Sequence, residues 1–309
     1  MRSPPCSMRS WVGRRLERLS WTLVSSMAEG RLERHVRVEG AVTALDALRG
    51  ETSLSAGRIK LAMTRGAVWL TRGRHTQRIR RAKRELRSGD ALHLYYDPDV
   101  LSREPKAPAL VEDVKAYSVW DKPYGLLSQG SRWGDHCTLT RWAEQHLVPQ
   151  RSAFVVHRLD RAASGLMVIA HEKRVAAALS AQFRERRVLK HYAALVNGRL
   201  ATSLPSTVDT PLDGREAVTT VLSQSPGSRA GQTLVHVKIE TGRRHQVRRH
   251  LLELGCPIVG DRMYGGREEV TDLKLKAVRL EFVCPVSGKW RAYELPADLD
   301  SPPPARTGS

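Results

Sequence analysis

Cysteine is scarce in this 309-residue chain: Cys6, Cys137, Cys256 and Cys284 stand far apart. No two have the short spacing of a zinc site or a redox dithiol, and so few thiols in so long a chain fit a reduced, intracellular protein. Long apolar runs are missing as well. No stretch reaches the roughly eighteen residues that a membrane-spanning helix needs, so a cytoplasmic protein with no membrane partner is expected. Acid is the third shortage: 32 Asp and Glu face 51 Lys and Arg, a net charge of +19 and a pI near 10.4. Such an excess favours a polyanion, because each basic contact with phosphate releases condensed counterions.

What is present divides the chain into pieces. Residues 1–30 are rich in Arg and Ser and read as a transit peptide or as a start placed before the true one at Met27. A small basic α+β domain is expected over 31–97. Between Arg58 and Arg87 it carries eleven Lys or Arg against the single acid Glu85. A helix ends there near Gly66, with Ile59, Leu61, Ala62 and Met63 on its apolar side and Gly66 as a left-handed cap. Strands follow through Val68 and Leu70 and over ALHLYYD, after the turn at 88–90. Residues 98–115, with three prolines and no period, read as a linker. A large domain then runs over 116–296, and the tail 297–309 is expected to be disordered.

In the large domain strands outnumber helices. Residues 165–170 are wholly apolar, as in a strand buried on both faces. Val235, Val237 and Ile239 alternate with polar residues. Two further strands flank the Pro285–Gly288 turn. Helices are expected near 172–186 and 245–254. The order has no regular crossover rhythm, which predicts an α+β fold around a mixed, largely antiparallel β-sheet.

One loop concentrates the chemistry. In VVHRLDRAASGLMVIA, residues 155–170, a polar HRLD loop joins two buried strands and presents Asp160 from a rigid frame. Taken by itself, Asp160 reads first as a turn residue capping nearby amides, the commonest role for Asp in a loop.

The motif His157-Arg158-Leu159-Asp160, followed by Ser164-Gly165-Leu166, resembles the signature of the RluA-type pseudouridine synthases, with Ala163 where that family usually has Thr. Further blocks follow in the family's order: Lys190-His191-Tyr192, Ala217-Val218-Thr219, Thr241-Gly242-Arg243-Arg244-His245-Gln246-Val247-Arg248, and Gly260-Asp261. Lys122-Pro123-Tyr124-Gly125-Leu126 resembles its opening strand and turn. The likeness spans about residues 116–285. The basic segment, through Ser55, Arg58, Arg65-Gly66-Ala67-Val68 and Gly89-Asp90, resembles the small RNA-binding domain first seen in a ribosomal small-subunit protein.

The resemblance implies an RNA isomerase that needs no cofactor and no metal. It detaches a uridine base from its ribose, turns it over and rejoins it through carbon 5. Asp160 is then the nucleophile, and a free Asp, with a pKa of about 3.9, is ionised at neutral pH. Arg243 is expected to pair with Asp160, and Tyr192 to stack on the extruded base. Its phenol is a poor base, which makes proton abstraction the weaker role. Extrusion costs a few kcal/mol, and Arg158 can fill the vacated space or clamp a phosphate. Lys190, His245, Gln246, Arg248, Arg58 and Arg65 are expected RNA contacts or pocket supports. The partner is RNA, ribosomal rather than transfer RNA, and a monomer is expected.

Three rivals remain in view. A metal site would want His245 and His250 four apart on one helix face, and they are five apart. A glycoside hydrolase needs two carboxylates, and Asp261 is the one other candidate. A non-catalytic RNA-binding or ribosome-assembly protein keeping the fold would not need Asp160, Tyr192 and Arg243 together.

Overall fold

The computed structural model describes residues 30–266 and 271–299. The expectations for the first 29 residues, including the alternative start at Met27, and for the tail from 300 lie outside the described residues. In the basic segment, Thr43 accepts from the amide of Asp46 and opens a helix over Ala44–Glu51. Ser55 does the same for Arg58 at the head of the helix Ala56–Thr64. Gly66 follows that helix at φ +80°, the left-handed conformation foreseen for it. Ile59, Ala62 and Met63 are buried as expected, but Leu61 faces outward at 41% exposure. It lies on the far side of the turn from Ile59.

These helices pack on an antiparallel sheet ordered Leu32–Arg37, Ala91–Tyr96, Val68–Arg72, His75–Arg78. Leu48, Ile59, Met63, Leu70, Leu92 and Leu94 form its core, separate from the cores of the rest of the chain.

The linker reading of 98–115 needs correction. Pro98–Leu101 is a short helix capped by Asp97, with Pro98 in the first turn, where a missing N–H costs nothing. Ala109–Asp113 is an edge strand paired antiparallel with Tyr117–Lys122. A solvent-facing edge interrupted by a bulge between Leu110 and Glu112 shows no apolar alternation, so sequence periodicity misses it.

The large sheet has ten strands. Its path runs Ser206–Val208, Thr219–Pro226, Gln232–Ile239, Leu189–Asn197, Leu275–Val283, Ser164–Ala170, Tyr117–Lys122, Ala109–Asp113. Trp290–Glu294 and Phe154–Val155 pair alongside. Every pairing is antiparallel except one: Ser164 and Gly165 run parallel to Lys276 and Ala277. Gly165 sits there at φ +108°, and a Cβ on it would lie 2.2 Å from the carbonyl oxygen of Ala277. Only glycine permits that approach. The fold is therefore α+β with a mixed, largely antiparallel sheet, as expected. The helices Leu139–His146, Lys173–Arg184 and Gln246–Glu253 bury their apolar stripes against it.

Candidate active site

The HRLD loop is fixed at alternate residues by one turn of chain, 122–128. Ser128 Oγ donates to the carbonyl of Leu159 at 2.8 Å and accepts from its amide at 3.1 Å. The Gly125 amide donates to the carbonyl of Arg161 at 2.8 Å. Lys122, fully buried, donates to the carbonyls of Ala163, Leu126 and Pro123 at 2.6, 2.8 and 3.2 Å. Burial pulls the Lys122 pKa down to about 7, while the nearby Asp160 charge opposes that. Three carbonyls match the three N–H groups of an ammonium, whereas a neutral amine would turn a lone pair towards one of them, so the charged form fits. Residues 159, 161 and 163 are thus tied from below, and Asp160 projects from between them. Ala163 carries no hydroxyl, but its carbonyl is held by Lys122.

His157, at the loop's entry, accepts from the Val168 amide at 3.0 Å and stacks on Phe183. Burial, then the charge of Lys190, pushes its pKa down to about 3, so the ring is neutral and keeps its acceptor.

Asp160 opens into a cavity of about 90 Å³ lined also by Arg158, Tyr192, Arg243, His245, Gln246 and Arg248. That is far below the roughly 300–1,000 Å³ of sites for larger ligands and suits a single flat ring. Asp160 and Arg243 therefore share one cavity, but they do not pair. Arg243 Nε donates to the carbonyl of Glu216 at 2.7 Å. The cation beside Asp160 is Arg248, whose Nη1 lies 3.8 Å from its carboxylate. His245 Nε2 lies at 3.9 Å, but burial lowers the His245 pKa and favours the neutral ring. The correction has a geometric cause: Arg248 sits on the inward face of the helix Gln246–Glu253, while Arg243 belongs to the loop before it.

Arg248 is itself aimed by a second carboxylate. Its Nε and Nη2 form a fork on Asp261, both at 2.7 Å, which leaves Nη1 for Asp160. Burial alone would raise the Asp261 pKa; the Arg248 fork and the amides of Tyr264 and Met263 more than offset it and hold it below the usual range. Asp261 is thus a brace, and among the described residues Asp160 is the one carboxylate lining the cavity.

Several expected RNA contacts turn inward. Gln246 is buried, accepting from the Arg243 amide and Thr241 Oγ1 and donating to Val218 O and Thr219 Oγ1. It spends its whole amide holding loop 241–245. Arg248 is 6% exposed and equally out of reach of a phosphate outside the cavity. Lys190 points its ammonium at the carbonyls of Glu240 and Thr241, at 3.4 and 3.5 Å, and burial pulls its pKa to about 8. Arg65 donates to the carbonyls of Leu101 and Arg103 and to Glu104. Arg158 and Arg58 remain exposed.

Tyr192 forms one wall. Burial, then the Asp160 charge, raises its pKa well above the ordinary phenol value, so it stays protonated at neutral pH. His245 also lines the cavity, from a left-handed backbone at φ +54°, its Nδ1 3.0 Å from Tyr264 Oη.

The chain has known relatives. The family described as RNA pseudouridylate synthase matches residues 116–253. An uncharacterized RNA pseudouridine synthase of Chloroflexus aurantiacus is 34% identical over 246 residues, 71% of this chain and 77% of its own length. The dual-specificity RNA pseudouridine synthase RluA of Salmonella typhimurium is 34% identical over 213 residues, 64% of this chain and 96% of its own. The solved structure of human RNA pseudouridylate synthase domain containing 1 is 25% identical with a TM-score of 0.52, covering 63% of this chain and 86% of that one. The chain belongs to the RNA pseudouridine synthase family, in its RluA-type branch. It is an isomerase, and its partner is RNA.

Proposed function

We propose that Asp160 is the nucleophile that converts a uridine in ribosomal RNA to pseudouridine. What carries the reading is the Asp160 carboxylate at the mouth of a one-ring cavity, 3.8 Å from an arginine already fixed by Asp261. A desolvated carboxylate needs such a cation, and a pre-aimed one costs no reorganisation when the substrate enters.

The extruded uracil lies against Tyr192, with stacking worth about 1–3 kcal/mol. Asp160 attacks the base or the anomeric carbon. The bond from N1 to the sugar breaks and one from carbon 5 forms; carbon 5 loses a proton and N1 ends with one. Electrons balance without an oxidant. The neutral phenol of Tyr192 shapes the pocket and does not serve as the resting base. Arg158, exposed at the mouth, takes the place of the extruded base or clamps its phosphate. A second cavity carboxylate, which a glycoside hydrolase would use, is not found among the described residues. The basic N-terminal module supports ribosomal RNA as the target.

The test uses total RNA from cells lacking this gene. Wild-type protein restores pseudouridine at specific positions; Asp160→Ala binds the RNA equally and forms none. Equal conversion by both would sink the assignment of Asp160. Base loss without isomerisation would sink the reaction.

A further inference from the structure

The turn that holds the catalytic loop does not end at Ser128. The next residues, 129–135, run into the N-terminal module and are gripped there by backbone and side chains. The Asp135 amide donates to the carbonyl of Arg65 at 3.0 Å. Arg80 Nη2 donates to Asp135 Oδ2 at 2.5 Å, and Arg78 Nε approaches the same oxygen at 3.5 Å. Arg78 Nη2 donates to the carbonyl of Ser131 at 2.6 Å, and Trp69 Nε1 to that of Arg132 at 3.1 Å. Arg31 stacks on the Trp133 ring at 3.8 Å, and Tyr95 meets its edge.

Two glycines make the fit possible. A Cβ on Gly66 would lie 2.2 Å from Asp135 Oδ1, and one on Gly130 would lie 2.5 Å from Asp135 Cβ. Between the grips, Ser131 and Gly134 exchange backbone hydrogen bonds at 3.0 and 3.1 Å, and Thr138 Oγ1 donates to the carbonyl of Asp135 at 2.7 Å. The segment therefore has little slack. One end clamps Leu159, the residue before the nucleophile; the other is held by two arginines of the module.

Resting on the function proposed above, we infer that residues 128–135 couple the seating of the basic module to the conformation of the catalytic loop, with Ser128 and Asp135 as positioning residues. The module's posture on RNA is then transmitted as a pull on Leu159. Removing the Asp135 charge leaves Arg78 and Arg80 repelling each other at the joint, which loosens the segment and the loop beyond it.

Two readouts test this on the full chain. In the protein without RNA, Asp135→Asn should speed amide hydrogen exchange across residues 157–163, as Ser128→Ala should. Unchanged protection there overturns the coupling even if no RNA is converted, a failure that would fall on the proposed function instead. With total RNA from cells lacking this gene, single-turnover conversion at saturating protein should fall about tenfold in Asp135→Asn, within the usual range of site coupling, with RNA affinity held. The double variant should lose no more than Ser128→Ala alone, since both break one connection. Multiplicative losses, or wild-type conversion by Asp135→Asn, overturn the proposal. Arg80→Lys should retain the rate. Arg80→Gln breaks the same contact from the module's side if Asp135→Asn does not fold.

Discussion

Arg248 faces two carboxylates at once, and its 6% exposure decides what its loss would cost. Replacing it with Gln leaves Asp261 buried without its fork, a loss of about 3–5 kcal/mol that urea unfolding would register. Arg248→Lys keeps the charge but cannot bridge both acids, so it should stay folded while conversion falls by about a hundredfold or more. A fully active Arg248→Lys would return the pairing role to another cation. His157 gives a pH signature. Its folded pKa is depressed to about 3 from the ordinary 6.5, so the unfolded chain takes up a proton that the folded one refuses. Stability is thus complete above pH 6.5 and declines as pH falls towards 3. His157→Gln keeps an acceptor for Val168 and removes the titration, so thermal melts at pH 7 and pH 4.5 should differ less for the variant than for the wild type. An identical difference would place the acid sensitivity elsewhere.

Among elements, the two-residue parallel pairing at Ser164–Gly165 constrains most. Gly165→Ala would push a methyl into the Ala277 backbone at a φ that L residues avoid, and neither strand can retreat. The variant should be recovered unfolded or with a much lower melting temperature; a wild-type melt would show that the strands can part. Much of this layer was legible beforehand. The apolar run 165–170, the alternation of Val235, Val237 and Ile239, and the helices ending near 186 and 254 all follow from periodicity, because each shows one buried face or two. The edge strand Ala109–Asp113 escaped because one side of it sees water and a bulge breaks its register. The site was legible as a set of residues and not as a wiring diagram. Asp160, Tyr192 and Arg243 do line one cavity, yet whether Arg243 or Arg248 reaches the carboxylate depends on where the helix starts, and the left-handed turn at His245 moves that start. Lys122 stood out only as the head of the block resembling an opening strand and turn; that it holds three carbonyls is a tertiary fact.

For the whole molecule, the net charge of +19 is spread unevenly between structure and solvent. Arg65, Arg78 and Arg80 are spent on internal contacts, while Arg58, Lys60, Arg81, Lys83, Arg84 and Arg87 stay exposed. Replacing Arg81, Lys83 and Arg84 together with Gln should weaken RNA binding and reduce the slope of log affinity against log salt by nearly three if each meets a phosphate. An unchanged slope would mean that another face grips the RNA.

The Ser164–Gly165 pairing with Lys276–Ala277 also sets an order of assembly. The floor beneath Asp160 is completed only by a strand more than a hundred residues downstream, a contact of high sequence separation that forms slowly. During synthesis, the HRLD loop and its clamp leave the ribosome long before that strand does. A growing chain can thus carry every residue of the HRLD motif and still lack a completed cavity.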